Sequence, residues 1–180
     1  MSETNSQTID QLILRLQDEE ENDAYLVSDQ LAEIGGEYLM DKMVELLYAE
    51  SDETQHLAAR TLASIEDNSY ALKPLLEAIN DDRNKHRNGA LVEALEGFDC
   101  SGEFVNIFRL FLFGSYKVSR TAKQLLDYTE FDITPRVIKK ADKHWKHYIN
   151  NTKHDDAFEL MKSEVEQIFA ELRALFEDEE

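Results

Sequence analysis

The sequence repeats itself at a fixed interval. Leu39, Leu72 and Val105 lie 33 residues apart, and so do Leu46, Ile79 and Leu112. A second series, Leu31, Leu62, Leu95 and Leu125, recurs at steps of 31, 33 and 30. Each member is followed three residues later by a large apolar or aromatic residue: Ile34, Ile65, Phe98 and Tyr128. That interval holds two helices and their turns, the two series marking the first and second helix of each pair. A lone pair of this size cannot cover its own apolar faces. Neighbouring pairs must stack, and a stack leaves a long curved surface.

Local signals agree with the period. Apolar residues recur at helical spacing nearly throughout, predicting ten helices near 8–17, 23–35, 37–49, 53–65, 70–80, 84–97, 102–113, 116–129, 135–150 and 155–176. Asp52, Ser101 and Ser115 are expected to cap helix starts, and Thr134-Pro135 reads as a cap followed by proline at the first helical position. Gly35-Gly36 and Gly114 are expected to end helices in a left-handed turn. Six glycines and two prolines in 180 residues are too few for a strand-rich fold with its many turns. Short joints predict antiparallel consecutive helices.

The segment TQHLAARTLASIEDNSYALKPLLEAINDD resembles the HEAT-like repeats of many bacterial proteins and of bilin-lyase relatives. The resemblance rests on Ala58, Ala59, Leu62 and Ile65 in a second helix. In the next first helix it rests on Pro74, Leu75, Leu76, Ala78, Ile79 and Asp81. It extends over roughly residues 8–129 and is clearest over 53–98. It implies an all-α, right-handed α-α superhelix, an alpha-solenoid of about four HEAT-like helix pairs. Repeats would fill residues 1–130, and residues 131–180 would form a C-terminal helical cap within one continuous domain. It also implies a binding or scaffold role. The family usually sets an Arg early in the second helix, bonded to an Asp of the preceding turn. Here Gln55 stands in that place once and Arg87 lies one residue early, so a continuous Asp–Arg ladder is not expected.

Composition narrows the function. The N-terminus is polar, no run is long enough for a membrane span, and a soluble cytoplasmic protein is expected. A single Cys100 excludes an internal disulfide framework and a multi-cysteine zinc site. It has no basic sequence neighbour to activate a thiolate. The net charge of −19 repels nucleic acid and anionic membrane at long range. That average conceals a split: residues 1–82 sum to −16, residues 83–154 to +5 and residues 155–180 to −8. The basic middle supplies the candidate binding residues: Arg83, Lys85 and Arg87, then Lys117, Arg120 and Lys123, then Arg136, Lys139, Lys140, Lys143 and His147. Lys139, Lys143 and His147 step by four along one helix face. These residues form either a positive groove for an acidic protein, phosphate or nucleic acid, or a solvated face balancing the acidic half.

The remaining segments keep two readings each. Helix 102–113, apolar nearly all round, is either enclosed by the terminal helices or partly open to a partner or second copy. Helix 155–176 carries Phe158, Met161, Val165, Ile168, Leu172 and Leu175 in a heptad seam, widened by Phe169 and Phe176. It either caps the stack or forms a homodimer. His144, Trp145 and His147 cluster, with His154 nearby; the two histidines at i, i+3 could share a metal, but no carboxylate completes a known ligand spacing. Trp145 otherwise continues the apolar face of Val137, Ile138 and Ala141. The acids at 18–21 and 177–180 read as helix ends and a solvated tail. No nucleophile elbow, phosphate loop or dinucleotide fingerprint is present, and no enzyme activity or cofactor is implied. A protein-binding adaptor is the leading function. Anionic-ligand binding, a small-molecule carrier or enzyme, and a homo-oligomerising structural protein are the alternatives.

Overall fold

The computed structural model describes residues 3–177; the acids at 178–180 lie outside the described residues. All regular elements among them are helical. They are α1 (Glu3–Leu16), α2 (Ala24–Ile34), α3 (Glu37–Leu46), α4 (Asp52–Ser64), α5 (Ser69–Asn80), α6 (Gly89–Glu93), α7 (Phe104–Phe113), α8 (Tyr116–Tyr128), α9 (Pro135–Asn151) and α10 (Asp156–Glu177). The fold is an all-α solenoid. The chain divides into two compact units, residues 1–99 and 100–180.

In the first unit the repeat reappears as packing. The second helices of successive pairs form one layer, α4 lying between α2 and α6, while α3 packs on α5. Leu31, Leu62 and Leu95, the repeated leucines of that layer, are fully buried. Small Ala58 and Ala59, also without exposed surface, permit the close helix approach. Polar groups bond across the same period. The buried Ser28 and Thr61 hydroxyls, 33 residues apart, lie 2.9 Å from each other. In the first-helix layer, the Tyr38 hydroxyl donates to Asp10 and that of Tyr70 to Asp41. Thr61 also donates to the Leu57 carbonyl and Ser28 accepts from Arg60, so the buried pair is fully satisfied. The Ser28–Thr61, Tyr38–Asp10 and Tyr70–Asp41 contacts all join equivalent places in successive repeats.

One expected helix is broken. Residues 84–97 do not form a single helix: Asp82–Asn84 is a 3-10 turn, residues 85–88 form turns, α6 covers only Gly89–Glu93 and Ala94–Gly97 is again 3-10. Two asparagines account for this. The buried Asn84 amide donates to the Leu47 and Ala78 carbonyls, and Asn88 donates to the Ile79 carbonyl. Asparagine side chains engaged in this way compete with the helical ladder. Some caps also differ from expectation. Ser51, not Asp52, accepts from Thr54 N. Ser101 opens a 3-10 turn, and α7 starts three residues later. Gly114 is extended at φ −71°, with no left-handed turn, while Gly35 and Gly36 do take positive φ. Ser115 and Thr134 cap α8 and α9 as expected.

The second unit is built on α7. Phe104, Ile107, Phe108, Leu110, Phe111 and Leu112 are buried, and α7 packs against both α8 and α9. α10 joins them through Phe169, whose ring lies 5.8 Å from that of Phe108. Phe158, Val165, Ile168 and Leu172 of the α10 seam are buried, whereas Leu175 is exposed. Trp145 is in the core, stacked with Tyr148 and Phe158. Tyr128 breaks the expected pattern. It is 87% exposed, and Phe131 takes the place beside Phe104 instead, ring centroids 5.2 Å apart.

Candidate binding site

The candidate basic residues differ in what they already hold. Arg83 spends its guanidinium on Asp81, through two side-chain hydrogen bonds of 2.9 Å, and lies over the Tyr48 ring at 4.1 Å. Arg87 reaches back to the Ala49 and Glu50 carbonyls and ion-pairs with Asp52. Arg60 likewise pairs with Asp29 at 2.6 Å, so arginine–aspartate links cross from one helix pair to the one before it at two steps. Lys85 is exposed. On α8, Arg120 pairs with Glu164 of α10 and Lys123 with Asp127, while Lys117 is exposed. The Arg60, Arg87 and Arg120 pairs brace separate helices and turns, Arg83 closes a local turn onto Asp81, and Lys123–Asp127 lies within α8.

The Asp81–Arg83 pair has a measurable consequence. Hydrogen bonds from the Arg83 side chain and backbone lower the Asp81 pKa to about 2. Because the folded value lies below the ordinary one, the pair stabilises the fold above the ordinary aspartate range, and this contribution fades as pH falls from about 4 to about 2. Asp81→Asn should therefore be less stable than the wild type at pH 7 in urea unfolding, with the gap closing towards pH 2.

α9 presents a different surface. Ala141 and Trp145 are buried, while Arg136, Lys139, Lys140, Lys143, Lys146 and His147 are exposed on the opposite side. Arg136, Lys140, Lys143 and His147 follow one another at steps of four, three and four, a single stripe. Lys146 pairs with Asp142 at 2.6 Å. Among the described residues, Arg136, Lys139, Lys140 and Lys143 make no ion pair. The structure therefore gathers the α9 set on one face. Lys117, Arg120 and Lys123 lie on another helix, and Arg83, Lys85 and Arg87 lie in the other unit.

Two residues outside the sequence-derived set join this face. α7 and α9 run side by side in the same direction: Phe131 just before α9 meets Phe104 at the start of α7, and Phe113 at its end meets His147 and Tyr148 at 5.9 and 5.7 Å, which sets Arg109 level with His144. Burial first, then the positive charges of Arg109, Lys143 and His147, push the His144 pKa down. Its ring is therefore mostly neutral at pH 7. Phe113 is 48% exposed at the end of this row. Among the described residues no three His, Cys, Asp or Glu side chains are placed to hold a metal ion, and no helix is long and apolar enough to cross a membrane.

Stacked helix pairs with interlocking polar contacts at the repeat interval define a helical-repeat protein. Residues 9–96 match the family model for HEAT repeats, and this part of the chain is a HEAT-repeat segment. Neither a curated protein nor a solved structure matches the chain. HEAT repeats are generally protein-interaction scaffolds and typically not catalytic.

Proposed function

We propose that the chain is a non-catalytic protein-binding scaffold that holds an acidic segment of another protein against the exposed face of α9. The observation that carries this reading is the difference in how the basic residues are committed. Arg83, Arg87, Arg120 and Lys123 are matched to carboxylates of the chain itself, whereas Arg136, Lys139, Lys140 and Lys143 form one stretch without ion pairs among the described residues. Unmatched like charges on one helix face repel one another, and an acidic partner relieves that repulsion. Half-exposed Phe113 adds an aromatic contact of the kind enriched in protein interfaces.

The test is titration of a fluorescent Glu/Asp-rich peptide by anisotropy at low and moderate salt. Replacing Lys139, Lys140 and Lys143 together by Glu should weaken binding about tenfold or more, since exposed charge contacts contribute up to about 1 kcal/mol each. Affinity should also fall as salt is added. An unchanged affinity in the triple variant would remove the site from α9.

A further inference from the structure

The row where α7 lies along α9 is more specific than a basic surface. Arg109 is the one charged residue in the sequence of α7, FVNIFRLFLF; it lies one turn before Phe113, whose ring meets His147 and Tyr148, and so falls level with Lys143 and His144 one turn earlier on α9. Lys143 precedes His144 in the chain, Lys140 lies one turn before it and His147 one turn after. The acid of α9, Asp142, is engaged by Lys146. α10 meets α9 through Phe158 stacked on Trp145 and Tyr148; its nearby charged residues are Asp156, Glu159 and Lys162. After burial, the charges of Arg109, Lys143 and His147 lower the His144 pKa. Two packed helices thus set Arg109, Lys143, His144 and His147 along one row, with Phe113 beside His147 at one end.

We propose that this row binds one phosphoryl group carried on a side chain of the protein partner, with Arg109 and Lys143 matching its charge, His144 and His147 donating to its oxygens, and Phe113 receiving the neighbouring residue. The proposal rests on the acidic-partner reading of α9 and narrows it. A phosphoryl group carries close to two charges and three strong acceptors, more than one carboxylate offers, and the arginine fork can hold it bidentately. The site fits one group rather than a polyanion. The +5 stretch is flanked by acidic segments and the chain carries −19, which opposes a long nucleic-acid strand. Binding would also bring negative charge beside His144, so its pKa should rise.

The experiment uses the full chain and an acidic serine peptide in phosphorylated and unphosphorylated forms, with inorganic phosphate and a single-stranded oligonucleotide as further probes. Affinity is read by anisotropy competition, and the His144 ring by its proton NMR titration. The phosphorylated peptide should bind about tenfold tighter than the unphosphorylated form, as expected for one added charge-assisted contact, and the His144 midpoint should rise. Arg109→Gln should bring the phosphorylated peptide down to the unphosphorylated level, with Arg109→Lys intermediate. Equal binding of the two forms would overturn the phosphoryl site while leaving the acidic-partner reading standing, and failure of both forms to bind would remove that reading as well. Inorganic phosphate moving His144 as far at the same concentration would reassign the site to free phosphate. An oligonucleotide binding more tightly than the phosphopeptide would overturn the protein partner.

Discussion

Phe108→Ala should lower the free energy of unfolding by about 3–5 kcal/mol, the cost of emptying a fully buried aromatic site. Phe108 has no exposed surface, and its ring lies 5.8 Å from Phe104, 6.3 Å from Phe111 and 5.8 Å from Phe169. Three rings from two helices would each lose a neighbour, and large rings locked by their own packing cannot collapse into the gap. Phe113→Ala on the same helix is the control. Phe113 is half exposed and touches His147 and Tyr148 at their edges, so its loss should cost about 1 kcal/mol or less. Urea unfolding of both variants followed by circular dichroism separates them. Equal losses would mean that α7 is not enclosed as the structure has it. The control also bears on function, because Phe113→Ala keeps the fold while removing the aromatic end of the proposed binding row.

The period that organises the first unit was legible because its markers are leucines with no alternative but burial: Leu31, Leu62 and Leu95 have no exposed surface. Tyr128, in phase with Ile65 and Phe98, was not legible as an exception. Phase predicts which way a residue points, but burial depends on what lies there. After Thr129 the chain runs without regular structure to Thr134, and Phe131 meets Phe104 in its place. A tyrosine tolerates this outcome because its hydroxyl can remain in water.

The basic face of α9 could be read from the spacing of Lys139, Lys143 and His147, since one helix fixes their mutual placement. Arg109 and His144 could not be added from spacing. They are 35 residues apart, and only the parallel run of α7 beside α9 brings them together. The commitments of Arg83, Arg87 and Arg120 to partners on other turns and helices were hidden for the same reason. In an acidic chain, candidate acids are everywhere in sequence, and only packing selects one. Composition could count the positive residues but could not tell braces from binding groups.

Asn84 shows why the third helix pair departs from the repeat, and its removal gives the second large effect. Its Nδ2 donates to the Leu47 and Ala78 carbonyls at 3.2 and 3.0 Å, and its Oδ1 accepts from Gln55 Nε2 at 2.8 Å. Gln55 itself donates to the Leu47 carbonyl at 2.8 Å. The amides of Asn84 and Gln55, 2% and 1% exposed, thus tie together the end of α3, the start of α4, α5 and the turn after it. Asn84→Ala leaves one Gln55 N–H buried without its acceptor and the Ala78 carbonyl with only the Asp81 N–H at 3.3 Å, so a loss of about 2–3 kcal/mol is expected. Asn84→Asp should cost at least as much, because a carboxylate brings a charge inside and cannot donate to either carbonyl. Gln55→Ala combined with Asn84→Ala should cost clearly less than the two single losses added, since each mutation alone orphans the other side chain. Strict additivity in urea unfolding would show that the two amides act independently, and the break in residues 84–97 would then need another cause.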